Sequence, residues 1–200
     1  MAALAAARKN IYIETPWLTD PLVSKMLLHK AREFRGRVNC QGLSDLDCST
    51  KMREAVKIYL VLPDATDQHM LDVVGRAHLR EMLHLGVKIY WWAPQERWSA
   101  TKMLHTKAWL IDYEEGEPGL AYIGSANATQ RSHLADNEIG IVTTSPEFAH
   151  QSYERLFRHD LETDTRLESP ETFHFPWGKR RVANSARRFQ HLLVSMFWFF

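Results

Sequence analysis

The stretch that most constrains this chain is HTKAWLID at 105–112, with YIGSAN at 122–127 and DNEIGIV at 136–142 behind it. Read as a strand, 105–112 alternates its side chains between two faces, so His105 and Lys107 point the same way, with Trp109 and Ile111 beneath them. YIGSAN reads as a return strand and DNEIGIV as a third strand carrying a carboxylate. An imidazole beside an ammonium is the pairing that phosphodiester chemistry needs. Neutral imidazole is a competent nucleophile near neutral pH, and a fixed cation neutralises the phosphoryl oxygens as the transition state develops.

The pattern H-x-K-x4-D followed by G-S-x-N resembles the HKD signature of the phospholipase D superfamily. His105, Lys107 and Asp112 match its first part, and Gly124, Ser125 and Asn127 its second. Asn137-Glu138 stands where that family places its histidine-orienting glutamate. The flanks KNIYIETPWL (9–18), VKIYLVLPDATDQ (56–68) and REMLHLGVKIYWW (80–92) resemble the C-terminal catalytic half of bilobal members, cardiolipin-synthase-like enzymes among them. The resemblance covers roughly residues 8 to 160. A lone H-x-K-x4-D arises by chance; with G-S-x-N, N-E and the strand-helix framework in order, the signal is strong. It implies a phospholipase D-like α-β-α sandwich and a reaction without metal or cofactor.

In that reading His105 is the nucleophile, forming a phosphohistidine intermediate that splits one slow displacement into two easier ones. Lys107 is the phosphate cation. Ser125 and Asn127 share parity and are set to donate to phosphate oxygens, with Gly124 letting the backbone approach. Glu138 accepts from the far nitrogen of His105 and fixes its tautomer. Asp112 lies seven residues beyond His105 and so faces away on a regular strand; its expected role is structural, at the strand end. Trp91, Trp92, Trp98 and Trp109 are candidates to line a lipid or leaving-group channel, though tryptophans at such positions are more often core. His78, His84 and His133 read as ordinary helix or loop histidines.

Taken in order, Ala2–Arg8 reads as the end of a helix and 10–14 (NIYIE) as a strand. A helix starts after Asp20-Pro21, cap then first-turn proline, and runs to about Arg35, with Leu22, Met26 and either Leu27 or Lys30 at helical spacing. Residues 36–51 are polar with no clean period, and 36–54 reads as an insertion. A buried strand at 55–62, a helix over 67–85 closed by Gly86, and a strand at 87–92 form a βαβ unit. The fold class is therefore α/β, a mixed, largely parallel sheet with helices on both faces. Pro94–Thr101 reads as a loop, Tyr113–Gly119 as an acidic turn, and Ser145–Arg158 as a helix. Residues 1–160 form the catalytic domain with one HKD motif, and 161–200 a tail.

The net charge of +1 hides an asymmetry: five basic residues and no acidic one lie between Pro176 and the end, leaving 20 basic against 24 acidic elsewhere. A mildly acidic body is not the footprint of a non-specific nucleic-acid binder. The tail joins Arg187-Arg188 to FQHLLVSMFWFF, which suits an interfacial anchor on anionic lipid or a helix that docks on the body or a partner. No signal peptide or membrane-spanning run of about 20 apolar residues is present in the sequence. Cys40 and Cys48 can pair across their short loop, with reduced thiols as the default.

A phosphohistidine mechanism also needs an acid for the leaving oxygen and a base for the acceptor, which family members draw from a second HKD motif. This chain has one. The expectation is either a two-fold homodimer or a piece of a longer protein whose N-terminal HKD half is missing. The leading function is a phospholipase D-type phosphodiesterase or phosphatidyltransferase acting on phospholipids, cardiolipin-synthase-like, membrane-associated on the cytoplasmic face. The alternatives are a single-motif endonuclease dimer and an inactive lobe of a larger two-motif membrane protein.

Overall fold

The structure is a computed structural model that describes residues 1–64, 71, 74–93 and 104–173. The basic aromatic tail, Trp98, the loop at 94–101 and the start of the helix expected from Asp67 lie outside the described residues.

Strand formation follows the apolar runs. β1 (Ile11–Glu14), β2 (Ile58–Pro63) and β3 (Lys88–Trp92) pair in parallel, β1 with β2 and β2 with β3. β4 (Ala108–Ile111), β5 (Leu120–Gly124) and β6 (Gly140–Thr143) follow as an antiparallel meander, with β4 laid antiparallel to β1. β7 (Thr165–Leu167) closes the other edge against β3, giving a seven-stranded sheet in the order β6-β5-β4-β1-β2-β3-β7. The sheet is mixed, as the sequence implied, but not largely parallel: only the β1-β2 and β2-β3 pairings are parallel, and the other four are antiparallel. The β4–β5 connection is too short to carry a crossover helix, and the longer β5–β6 connection carries only the short helix α5 (Gln130–Leu134) before the chain returns antiparallel.

Helices cover both faces. On one side α1 (Ala2–Ala6), α2 (Pro21–Gly36) and α4 (Leu79–Leu85) pack over Ile11, Ile13, Ile58, Leu60, Ile89 and Trp109. On the other, α6 (Pro146–Ser152) and the π-helical turns 153–158 and 160–164 bring Ala149 and Phe157 onto Ala108, Leu110 and Ala121. α2 begins as the sequence indicates: the Asp20 carboxylate accepts the Leu22 N–H at 2.7 Å, and Pro21 occupies the first turn. Its buried stripe differs from the expected one. Leu22 is 54% exposed and Met26 only partly buried, while Val23, Leu27, Ala31 and Phe34 face the sheet. The helix is rotated because Lys30 also turns inward, its ammonium tied to the Ala7 carbonyl at 2.8 Å and to Glu33 at 2.7 Å. α4 ends at Gly86, which sits at φ 99° with Arg53 backbone 2.9 Å from where a side chain would start, so both conformation and space require glycine.

Two features escaped the sequence. A helix, α3 (Asp45–Glu54), occupies the polar stretch; Ser44 caps it and none of its residues is buried, so it carries no apolar stripe to read. Cys40 and Cys48 form a disulfide rather than standing as thiols, because the turn into α3 brings their Cα atoms to 5.2 Å, within bridging range. Among the described residues no helix is long and apolar enough to cross a membrane.

Candidate active site

The site lies where the approach to β4 meets the loop after β5. Its anchor is Asp112, which ends β4 in a left-handed conformation (φ 56°) and turns its carboxylate back onto the chain entering β1. It accepts N–H bonds from Arg8 at 2.8 and 3.0 Å, Lys9 at 2.6 Å and Asn10 at 3.3 Å. The Asn10 side chain completes the clasp, donating to the Tyr113 carbonyl at 2.7 Å and accepting the Tyr113 N–H at 2.9 Å. Asp112 thus fixes the register of β1 against β4, far along the strand from His105.

At the other end of β4, His105 is exposed and Lys107 only 5% exposed. The Lys107 ammonium lies 2.9 Å from Nδ1 of His105 and donates to the His105 carbonyl at 2.7 Å. Burial pulls the lysine below the ordinary ammonium range, and the negative charge of Glu138 works against that pull. The His105 ring meets the edge of Trp17, centroids 6.3 Å apart and planes at 89°. Trp17 was not singled out in the sequence; its position just past the carboxyl end of β1, where α/β sheets gather their ligands, is the signal that points to it.

Ser125 and Glu138 also meet. The Ser125 hydroxyl donates to the Glu138 carboxylate and accepts the Ile139 N–H at 3.0 Å, while the Ser125 N–H donates to the Ile139 carbonyl at 2.8 Å. This differs from the expected wiring: among the described residues Glu138 is hydrogen-bonded by Ser125, and no hydrogen bond joins it to His105. Gly124 differs in the same spirit. Its N–H donates to the Lys107 carbonyl at 3.1 Å, and a side chain there would fall 2.4 Å from the Tyr122 hydroxyl and 2.5 Å from the Ile139 carbonyl. The glycine is demanded by the close approach of the Tyr122 hydroxyl and of the chain entering β6. Asn127 lies past the end of β5, and its Oδ1 is buried without a hydrogen-bond partner among the described residues.

Beside Glu138 opens a cavity of about 510 Å³, walled by Leu4, Trp109, Leu120, Tyr122 and Val142 and reached by His133. His133, read from the sequence as an ordinary histidine, is held through Nδ1 by Asp20 at 2.7 Å. Burial pushes the Asp20 carboxyl up, but His133 and the Leu22 N–H outweigh it and hold the group below its usual value. Of the candidate channel tryptophans, Trp109 lines this cavity. Trp91 is core, donating to Glu168 at 2.6 Å with Arg76 stacked 4.2 Å above its ring. The pairing of Asp20 with His133 and the surroundings of Glu14, discussed below, were out of reach of sequence reasoning because the partners lie more than ninety residues away.

A family profile described as "Cardiolipin synthase, PLD-like domain" matches residues 1–161, most of the chain. The chain belongs to this phospholipase D-like family. Within it, curated relatives include cardiolipin synthase A of Buchnera aphidicola, 27% identical over 150 residues, covering 75% of this chain and 24% of that protein. Cardiolipin synthase 2 of Bacillus cereus is 25% identical over 189 residues, covering 94% of this chain and 30% of that protein. The chain therefore spans between about a quarter and a third of the length of these relatives. Solved phospholipase D-like structures share its fold: Nuc from Salmonella typhimurium superimposes with a TM-score of 0.56 at 15% identity, covering 84% of this chain and 87% of that one. The phosphatidylserine synthase of Haemophilus influenzae gives 0.56 at 12% identity, covering 98% of this chain and 42% of that one.

Proposed function

We propose that this chain is one catalytic lobe of a cardiolipin-synthase-like phospholipase D, transferring or hydrolysing the phosphodiester of a phospholipid. The observation that carries the reading is the exposed His105 imidazole with the Lys107 ammonium held 2.9 Å from its Nδ1. His105 would attack phosphorus, forming a P–N bond as the P–O bond to the leaving group breaks. The leaving oxygen takes its proton from an acid, and an acceptor hydroxyl or water, stripped of its proton, then breaks the P–N bond and frees the imidazole. Lys107 neutralises charge on the phosphoryl oxygens. An arriving phosphate is a better partner for the Ser125 hydroxyl than a carboxylate it must share. As Ser125 and Asn127 turn to that phosphate, Glu138 is released to orient His105. Asp112 holds the strand and touches no reacting atom.

The second imidazole belongs to another lobe, a second copy or an N-terminal half. The edge strand supports this: Ile139, Ile141 and Val142 are 81%, 59% and 64% exposed beside the site, a concentration of apolar surface that a lone domain rarely leaves uncovered. A phospholipid substrate and the sequence of the basic aromatic tail support a location at a membrane surface, with the cytoplasmic face as the side expected.

Trapping tests the reading. The chain is quenched after mixing with phosphatidylglycerol vesicles radiolabelled in the phosphate, or with a labelled oligonucleotide. Monomeric and dimeric fractions are assayed separately, beside His105→Ala. Acid-labile, base-stable label on His105 from the lipid supports the proposal. Label from the oligonucleotide alone transfers the chain to the endonuclease reading. Label from neither in any fraction leaves it a silent lobe.

A further inference from the structure

Thr106 stands between the two residues of the HTK segment, just ahead of β4, and is partly exposed where Lys107 is buried. Across from Ala108 of β4 sits Glu14, the last residue of β1. The Thr106 hydroxyl and the carboxyl of Asp160, in the π-helical turn 160–164, both lie against the Glu14 carboxyl. Glu14 is 1% exposed, and its Oε2 has no hydrogen-bond donor among the described residues. An ionised carboxylate left in that state would be costly. Two ionised carboxylates buried side by side repel, and one proton held between them removes that repulsion.

We propose that Glu14 and Asp160 share one proton and act as positioning residues, holding Thr106 and through it the His105–Lys107 segment. The device rests on the catalytic reading of His105 given above. Burial raises the Glu14 carboxyl far above the usual carboxylate range, and the charge of Asp160 raises it further. Burial raises Asp160 as well, and His159, 3.2 Å away through Nδ1, draws it back. The other titratable groups on this side among the described residues are Asp164 in the same turn, which adds negative charge, the phenols of Tyr12, Tyr59, Tyr90, Tyr113 and Tyr153, and His150 against Tyr113. Burial holds Tyr12 and Tyr59 neutral well past the usual phenol range. Among the described residues no lysine or arginine pairs with Glu14, so loss of the shared proton leaves two buried like charges to move apart, and Thr106 moves with them.

The experiment follows the side-chain resonances of His105 and the cleavage of bis(p-nitrophenyl) phosphate across pH in wild type, Glu14→Gln, Asp160→Asn and Thr106→Val. In wild type, His105 should sense a transition near pH 8 that belongs to the carboxyl pair, accompanied by a roughly tenfold loss of turnover. Glu14→Gln, isosteric and always neutral, should abolish that transition and keep neutral-pH turnover within about threefold. Thr106→Val should uncouple His105 from it, and Thr106→Ser should restore the coupling. Should the transition persist in Glu14→Gln, or be equally strong in Thr106→Val, the proposal fails. His159, Asp160 and Asp164 also bring ligand atoms within 4.8 Å of one another. If added Zn²⁺ or Mn²⁺ abolishes the transition in wild type but does not bind Asp160→Asn, a cation and not a proton joins the pair, which also overturns it. The resonance readout needs no substrate, so an inactive chain whose His105 still senses Glu14 refutes the function and not the inference.

Discussion

Replacing Asp112 separates a structural aspartate from a catalytic one. Its carboxylate receives three backbone N–H groups, those of Arg8, Lys9 and Asn10. Bonds to a charged acceptor contribute about 1.5–3 kcal/mol each when shielded, but the Arg8 and Lys9 bonds are exposed and water replaces part of them, leaving about 1 kcal/mol apiece. Asp112→Ala should therefore cost about 3 kcal/mol. Asp112→Gly removes the same carboxylate yet relieves the φ of 56°, which a Cβ-bearing residue occupies at about 1 kcal/mol, so it should cost about 2 kcal/mol. Urea unfolding followed by tryptophan fluorescence measures both. Alanine and glycine variants of equal stability, or an alanine variant within about 1 kcal/mol of wild type, would refute the strand-clasp account. Because Asp112 lies at the far end of β4 from His105, Asp112→Asn that remains folded should keep phosphodiester turnover within a few-fold. A loss of a thousandfold without unfolding would make it catalytic.

Two further outcomes follow from the packing. Gly124→Ala places a carbon 2.5 Å from the Ile139 carbonyl, a backbone atom that cannot step aside alone. It should cost about 2 kcal/mol or more by forcing β6 off β5, and Tyr122→Phe should not rescue it because the carbonyl clash remains; full rescue would contradict the geometry. Asp20 caps α2 and holds His133, and its pKa is depressed, so its contribution is present above the unfolded value near 3.8 and lost as pH falls through the lower folded value. Asp20→Asn should thus cost about 1–2 kcal/mol at neutral pH, with the difference from wild type narrowing below pH 3.8. A gap that widens in acid would reverse the assigned sign.

Local sequence was enough for the features that local physics sets. Asp20-Pro21 starts α2 and Gly86 ends α4 through capping and φ, which need only neighbouring residues. The expected strand over 105–112 is shorter in the structure, β4 beginning only at Ala108, yet His105 and Lys107 still meet at 2.9 Å in the approach to it. A helix without an apolar stripe gave no signal, so α3 was missed, and with it the approach of Cys40 to Cys48. The rotation of α2 was hidden because burying Lys30 depends on a carbonyl offered by Ala7 across a turn.

The pairings at the site belong to the tertiary structure. Which partner Glu138 takes depends on β5 and β6 closing until Gly124 touches Ile139, and this brings Ser125 within reach. Glu14 looks in sequence like a stray charge in an apolar strand. Only the fold sets it 1% exposed between Thr106 and Asp160, residues more than ninety positions away in the chain. Chain order specifies which groups are present and which way each strand turns them. Hydrogen bonds between carboxyls, hydroxyls and imidazoles form over distances of about 3 Å, and only packing of remote segments brings such groups that close.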